Sequence, residues 1–168
     1  MILKVIIDSL VFILPSYVAN ASPVLTPRLI HNPHPIDGGR LFLDGKRILG
    51  DGKTVEGFLI GVAAGTLTGL ILQLLSLHTV IEALPLSLGA LLGDCLGSFI
   101  KRRMGLKRGD SLHVADQLLF LVFSLTLYSL AFKPPPLSWV LFLLVFTPIA
   151  HRLTNYVAYR LGLKPVPW

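Results

Sequence analysis

Long apolar segments alternate with shorter polar segments along the chain. Residues 1–22 are apolar apart from a few polar side chains, and residues 57–77 contain no charged side chain. Residues 79–100 and 114–132 are apolar with isolated acidic residues, and residues 137–161 are apolar over their first half. A helix needs about 20 residues to cross a bilayer, so each segment can span one. The pattern predicts an all-α integral membrane protein with about five transmembrane helices and two long loops.

The composition supports this class and limits the size of the protein. Of the 168 residues, 53% are hydrophobic and 14% are charged, and the mean hydropathy is +0.72. Charged residues make up about 25% of an average soluble domain, and disordered or coiled-coil proteins need more polar surface than this chain provides. Five membrane helices and their connections use most of the chain, so we expect a single membrane domain over residues 1–168.

The basic residues lie almost entirely in segments that share one side of the predicted membrane. Thirteen of the fifteen lysine and arginine residues lie between the first two helices, between the third and fourth, or near the C-terminus. The positive-inside rule therefore predicts that the N-terminus lies outside the cell membrane, and that the C-terminus and both long loops are cytoplasmic. Basic residues placed between apolar segments suit anionic lipid headgroups or a charged substrate, and we expect no nucleic-acid partner.

The first apolar segment also has features of a cleavable secretory signal. Lys4 precedes a short apolar core, and the small residues at 19–21 imitate a cleavage site. However, Asp8 interrupts the apolar core, and cleavage would leave an even number of spans that conflicts with the distribution of basic residues. We therefore expect this segment to be the first transmembrane helix.

Two of the predicted helices contain glycine at every fourth position. Such faces allow helix backbones to approach closely, so we predict that both faces are packing seams. The alternative is that the smooth face beside Asp94 also admits an isoprenoid or acyl chain. The glycines are Gly57, Gly61, Gly65 and Gly69 in the second helix, and Gly89, Gly93 and Gly97 in the third.

Acidic residues inside the predicted spans are candidates for function, because an ionised group in a membrane is costly unless it has a partner. Asp8 and Glu82 lie near the predicted outer ends of their helices, which is typical of interfacial charges. Asp94 and Asp116 lie on consecutive helices, each close to the same basic loop, so antiparallel packing brings both carboxylates to one depth. Carboxylate oxygens without zinc-type histidine or cysteine spacing suit Mg²⁺. The alternative is that they only neutralise nearby basic residues.

The first long loop is rich in glycine, aspartate and basic residues between Asp37 and Thr54. Glycine lets backbone amides approach anionic oxygens, while lysine and arginine supply positive charge. Residues 52–54, Gly-Lys-Thr, resemble the end of a P-loop, but the first glycine of that motif and its preceding strand are missing. The loop therefore predicts phosphate binding, with an ordinary basic membrane-side loop as the alternative.

The second long loop and its flanking helices contain the most specific motif. Gly93-Asp94 is followed by Gly97-Ser98, by Lys101-Arg102-Arg103, and, after a basic segment with two glycines, by Asp116-Gln117. This pattern resembles the CDP-archaeol synthases, archaeal relatives of the CDP-diacylglycerol synthases. The resemblance extends over nearly the whole chain. It also includes Leu14-Pro15, residues 17–23, Pro35-Ile36-Asp37 and residues 44–54.

The resemblance implies a Mg²⁺-dependent CTP:phospholipid cytidylyltransferase of archaeal membrane lipid biosynthesis. Such an enzyme transfers CMP from CTP to a phosphorylated isoprenoid glycerol diether and releases pyrophosphate, and membrane lipids surround it. The resemblance further implies that Asp94 and Asp116 are catalytic ligands of a metal ion bridging the CTP phosphates, and that Lys101 and Arg102 are catalytic. The implied substrate-binding residues are Asp44, Gly45, Lys46, Arg47, Gly50, Gly52, Lys53, Thr54, Ser98, Arg103 and Gln117.

Several points stay open at this stage. Bacterial relatives have an acidic residue where this chain has Leu119, and Asp110 is either a substitute ligand or a helix cap. A small membrane transporter or lipid-binding protein would also contain intramembrane carboxylates, but it would not explain two phosphate-binding loops on one side. The lipid chain, the preference between CTP and dCTP, and the choice between a monomer and a homodimer are not determined by the sequence.

Overall fold

The computed structural model describes residues 2–107, 110 and 112–167, without the side chains of residues 113–115. The helices are α1 (Ile2–Ala21), α2 (Thr26–Leu29), α3 (Val55–Leu74), α4 (Val80–Arg103), α5 (His113–Ala131) and α6 (Leu137–Arg160), with a 3₁₀ turn at Ser22–Leu25 between α1 and α2. Among the residues described, the β pairing consists of two isolated bridges within residues 35–54. The predicted all-α class is therefore confirmed.

Most of these helices are long and apolar enough to cross a bilayer. Within the described part of the chain, four segments meet this criterion, namely Ile2–Leu29, α3, α4 and α6. The apolar part of α5, Asp116–Ala131, is shorter. The helices thus agree with the predicted integral membrane protein of about five transmembrane helices.

The ends of α3 differ from the predicted segment because of local capping. The helix begins at Val55, after Thr54, whose Oγ1 accepts a hydrogen bond of 3.1 Å from the Gly57 amide. A threonine in this position replaces a hydrogen-bond partner that the first turn of a helix lacks. At the other end, the Leu77 amide donates to the Leu72 carbonyl at 2.9 Å across a left-handed Ser76. This closing turn ends the helix at Leu74, before the predicted residue 77.

Both glycine seams are places where helices touch. A Cβ atom on Gly61 would lie 2.8 Å from the Ala19 carbonyl oxygen of α1, and one on Gly89 would lie 2.6 Å from the Phe123 carbonyl oxygen of α5. Distances this short leave no room for a side chain, so α3 packs directly on α1, and α4 on α5. Contacts of the same kind join Gly65 to Pro15, Gly69 to Ala83, and Gly93 to Leu119.

Polar side chains connect the helices inside the bundle. The hydroxyl oxygens of Ser16 and Ser124 are 2.6 Å apart, and Tyr17 and Thr147 share a hydrogen bond of 2.7 Å. These bonds join α1 to α5 and α1 to α6, where buried polar groups need partners. Of the described helices, α6 contacts α1 and α5 and leaves much of its surface exposed.

Glu82 belongs to a separate polar cluster near the start of α4. Its carboxylate accepts hydrogen bonds from Tyr128 at 3.1 Å and from Thr79 at 2.6 Å, and His78 lies 3.8 Å away. Tyr128 lies on α5, so the cluster also holds the two helices together. These partners satisfy the carboxylate within the bundle.

Candidate active site

A cavity of about 860 Å³ lies at the end of the bundle where α4 ends and α5 begins. Its wall includes residues of α1, α4, α5 and α6, of the loop between α2 and α3, and of the segment after α6. Eleven of the predicted site residues line it. They are Lys46, Arg47, Gly50, Gly52, Lys53, Asp94, Ser98, Lys101, Arg102, Asp116 and Gln117.

The two predicted metal ligands, Asp94 and Asp116, line this cavity together, and each is paired with a lysine. Lys53 of the first loop bonds to Oδ2 of Asp94. The Nζ atom of Lys101 lies 2.9 Å from Oδ1 of Asp116. Close contact of α4 with α5 brings both carboxylates to the same end of the bundle, as the antiparallel arrangement predicts. The charges of the carboxylates are therefore balanced before any substrate enters.

The donor set fits Mg²⁺ held jointly by the protein and a substrate. Among the residues described, no group of three or more histidine, cysteine, aspartate or glutamate side chains is placed to hold a metal ion. Mg²⁺ usually binds one or two carboxylates and completes its shell with water and substrate phosphates. Two cavity-facing carboxylates meet that requirement. Asp110 also lines the cavity, and its carboxylate accepts a hydrogen bond of 2.6 Å from the Lys107 amide.

Asp37 organises the first loop from its centre. Its side chain is 1% exposed and forms an ion pair of 2.7 Å with Arg47. It also accepts hydrogen bonds of 2.9 Å from the amides of Leu49 and Gly50. The hydrogen bond from Arg47 holds the pKa of Asp37 well below its usual range. The loop is thus folded around one buried carboxylate.

Gly50 is required at its position in this loop. Its φ angle is +90°, in the left-handed region that a glycine adopts without steric cost. In this conformation its amide donates to Asp37, and a Cβ added to it would lie 3.9 Å from Cδ of Arg102 on α4. The loop backbone therefore forms a wall of the cavity next to a basic helix end.

Four predicted substrate-binding residues lie outside the cavity wall. Arg103 packs between Phe42 and Phe99, with its guanidinium carbon 4.9 and 4.8 Å from the two ring centroids, and it pairs with Asp44 at 2.8 Å. It also donates to the Arg47 carbonyl, so it fastens the first loop to the end of α4. The four residues are Asp44, Gly45, Thr54 and Arg103.

The sequence did not single out the polar residues that α1, α6 and the C-terminal segment contribute. The sequence contains two indications of these residues: residues 17–23 resemble the family motif, and the second half of α6 is polar. Neither indication shows which residues these side chains contact, because the contacts between α1 and α6 join residues more than a hundred positions apart. These polar lining residues are Tyr17, Asn20, Thr147, His151, Arg152, Thr154, Asn155 and Lys164.

Replacing Asp37 with asparagine should loosen the first loop. The change removes the charge facing Arg47 and places a donor beside backbone amides that need an acceptor. We expect trypsin to cleave the folded protein in detergent after Arg40 or Arg47 at least about tenfold faster, because cleavage follows local opening of the backbone. The measurement is the rate of appearance of the two fragments at pH 8.

Asp51→Asn is the matched control for this prediction. Asp51 pairs with the same arginine at 2.7 Å, but its side chain is 63% exposed. An exposed pair contributes little to stability, so we expect cleavage within about twofold of the wild-type rate. The lowered pKa of Asp37 also makes the stability of the first loop depend on pH. The Asp37 carboxylate stabilises the loop fully above the pKa of the unfolded chain, about 3.9, and this stabilisation decreases as the pH falls towards the lowered pKa of the folded protein. Equal cleavage of both variants would contradict the central role of Asp37.

An all-helical bundle with paired carboxylates and a basic, glycine-containing loop around one cavity defines an integral membrane protein with a charged site at one end of the bundle. The family model "CarS-like: CDP-archaeol synthase" matches residues 2–168. The chain therefore belongs to the CDP-archaeol synthase family, as the sequence motifs predict.

Individual relatives are similar in sequence to this chain over nearly its full length. The chain is 51% identical over 164 residues to CDP-archaeol synthase of Thermococcus gammatolerans, covering 94% of this chain and 93% of that protein. It is 44% identical over 181 residues to CDP-archaeol synthase of Methanococcus aeolicus, covering 99% of each. A solved structure of an intramembrane enzyme for archaeal membrane lipid biosynthesis superimposes with a TM-score of 0.75 at 36% identity, covering 87% of this chain and 91% of that one. These matches favour the enzyme over the transporter alternative.

Proposed function

We propose that this chain transfers CMP from CTP to a phosphorylated isoprenoid glycerol diether, forming CDP-archaeol with unsaturated chains and releasing pyrophosphate. The proposal rests on one structural observation, a cavity that combines Asp94 and Asp116 with several basic residues at one end of a membrane bundle. The family of the chain, and the archaeal lipid enzyme that it resembles in structure, support the same reaction.

The reaction needs positioning and charge neutralisation more than it needs a protein nucleophile. An oxygen of the lipid phosphate attacks the α-phosphorus of CTP and forms a new P–O bond. The bond from the α-phosphorus to the oxygen bridging to the β-phosphorus breaks, and its electron pair leaves with pyrophosphate. Because both reactants are anions, the protein must bring them together against their repulsion.

The proposed roles follow from which residues line the cavity. Lys101 and Arg102 would neutralise phosphate oxygens from α4, while Lys46 and Lys53 would do so from the first loop. Gly52 also lines this space, and a glycine lets the loop backbone come close to a ligand. These groups would hold the two substrates in line for the attack.

Mg²⁺ is the proposed cofactor, with Asp94 and Asp116 as its ligands. A bound Mg²⁺ would neutralise charge on the triphosphate and help pyrophosphate leave. Both residues line the cavity and supply the oxygen ligands that this ion prefers. Their lysine partners, Lys53 and Lys101, would then be available to phosphate oxygens.

We further propose that the N-terminus lies outside the cell and that the cavity opens to the cytoplasm. Basic residues of the first loop, of the end of α4 and of the C-terminal part of the chain line the cavity, so the positive-inside rule orients this end inward. With this orientation, CTP would reach the site from the compartment that contains it.

The proposed function predicts metal-dependent formation of a CDP-lipid. Purified protein in detergent, given CTP, Mg²⁺ and geranylgeranylglyceryl phosphate, should release pyrophosphate and form the CDP-lipid in equal amounts. Removing divalent ions with EDTA should stop both, and adding excess Mg²⁺ should restore them. Parallel reactions with ATP, GTP and UTP, and with a diacyl lipid phosphate, would define the base and chain preferences.

Three outcomes would contradict this proposal. Equal activity with all four nucleotides would exclude a cytidylyltransferase, and full activity in EDTA would exclude the metal. Metal-independent ion flux in liposomes without pyrophosphate release would instead support the transporter.

A further inference from the structure

The segment after α6 turns back over the cavity. The Gly162 amide donates to the Tyr159 carbonyl at 2.9 Å, and the Leu163 amide donates to the Ala158 carbonyl at 2.8 Å. This pair of bonds is a Schellman motif, which reverses the chain at a left-handed residue, here Gly162 with φ +66°. Residues 163–166 consequently run back towards the bundle and form part of the cavity wall.

Arg28 fixes this reversal from the other side of the chain. Its guanidinium donates to the carbonyl oxygens of Leu161 at 3.3 Å and Gly162 at 3.1 Å. The last carbonyl groups of a helix lack partners within the helix, so a cation satisfies them well. Arg28 lies on α2, directly after the part of α1 that lines the cavity. It therefore holds the C-terminal segment to the α1 side of the site.

The reversal places Lys164 among the charges of the site. Lys164 lines the same cavity as Asp94, Asp116, Lys53 and Lys101. Burial is the largest influence, and it lowers the pKa of Lys164. A partly buried ammonium group in a cavity with other basic residues attracts an anionic ligand.

The cavity has more positive than negative charge. Within the described part of the chain, seven lysine and arginine residues and four aspartates line it. Two of these aspartates, Asp94 and Asp116, pair with Lys53 and Lys101. An excess of positive charge in a partly enclosed space favours ligands that bear several negative charges.

We propose that Lys164 binds a phosphate oxygen of a substrate, and that Arg28 is a positioning residue that holds Lys164 in place. The inference rests on the proposed function and adds to it a contribution from the C-terminal segment. The ligand chemistry, a phosphate oxygen, is common to the nucleotide triphosphate and the lipid phosphate. Separate kinetic constants for the two substrates distinguish these sources.

The test compares Lys164→Ala, Lys164→Gln and Lys164→Arg with the wild type. Each KM is measured with the other substrate saturating, and detergent melting curves show that each variant is folded. A hydrogen bond from a charged group is worth roughly 1.5–3 kcal/mol, so we expect Lys164→Ala and Lys164→Gln to raise the KM of one substrate about 10- to 100-fold. Arginine keeps the charge and should recover most of the loss, with kcat changing by less than about threefold.

Lys133→Ala is the matched control, because it removes a lysine charge from an exposed position between α5 and α6, outside the cavity wall. It should leave both KM values within about twofold of the wild type. A rise in the KM for CTP assigns Lys164 to the nucleotide, and a rise in the KM for the lipid assigns it to the lipid phosphate. Unchanged KM values in folded Lys164→Gln, or an arginine variant no better than alanine, would overturn the proposal.

Arg28→Ala gives an independent measurement of the same interaction. If Arg28 acts through Lys164, its loss should raise the KM of the same substrate, and the double variant should be no worse than Lys164→Ala alone. Additive effects, or an effect on the other substrate, would overturn the positioning role. A wild-type protein without CDP-lipid synthesis would contradict the proposed function, whereas an active wild type with an unaffected Lys164→Gln would contradict only the role of Lys164.

Discussion

Replacing Asp94 or Asp116 with asparagine is expected to lower the rate of CDP-lipid formation by about 10²- to 10³-fold, the range seen when one preorganised electrostatic group is removed from an active site. Asparagine has nearly the same size but lacks the charge that a hard cation requires. The loss also leaves Lys53 or Lys101 without its carboxylate partner. The measurement is initial-rate pyrophosphate release at saturating CTP and lipid, repeated over a range of Mg²⁺ concentrations.

The Mg²⁺ dependence separates a ligand role from a simple ion pair. If the carboxylate binds the ion, the asparagine variants should need more Mg²⁺ for half-maximal activity, whereas Lys53→Met should need no more than the wild type. Asp8→Asn is the control, because Asp8 lies in the half of α1 away from the cavity, and it should retain activity within about twofold. Wild-type turnover in both site variants would refute the metal assignment.

Gly93→Ala is expected to destabilise the bundle more than other conservative changes. An added Cβ would overlap the Leu119 carbonyl oxygen and lie 2.7 Å from the Phe120 Cα, and both are backbone atoms of α5. Neither can move without separating α4 from α5. Overpacking usually costs about 1–3 kcal/mol, and we expect a value near the upper limit here. The melting temperature in detergent should fall by about 6–12 °C.

Gly97→Ala is the control on the same helix, one turn further along. Its Cβ would lie 3.4 Å from a methyl carbon of Leu119 and 3.6 Å from Oδ1 of Asp116, which are close to ordinary contact distances. Alanine also favours the helix by up to about 1 kcal/mol in both variants, so that contribution cancels in the comparison. We expect the melting temperature of Gly97→Ala to match the wild type or exceed it. Equal melting temperatures for the two variants would show that the seam tolerates a methyl group.

The sequence predicted those features that depend on periodicity and local spacing. Apolar segments of bilayer length defined the helices, because a helix satisfies its backbone groups within one continuous segment. Glycine at every fourth residue predicted close helix contacts, which the structure has at Gly61 and Gly89. The pairing of Asp94 and Asp116 followed from two consecutive helices joined by one loop, since such helices are antiparallel and return to the same side.

Features that depend on distant contacts were not predictable in this way. A run of three basic residues gives no indication that Arg103 packs between Phe42 and Phe99 while Arg102 faces the cavity. The central position of Asp37 depends on the folded path of the loop, and the place of Lys164 depends on a reversal after the last helix. In each case the chemistry of the residue was visible in the sequence, but its partner was not.

The position of Asp94 along α4 bears on how the two substrates meet. Asp94 lies nine positions before Arg103, where the helix ends, which corresponds to roughly 13 Å along the axis. The headgroup layer on each side of a bilayer is only about 5–8 Å thick. With the basic end of α4 at the aqueous edge of that layer, the carboxylate lies at or below the level of lipid phosphates. In the proposed reaction the lipid would therefore stay in its leaflet, and the water-soluble nucleotide would move to the depth of the lipid phosphates.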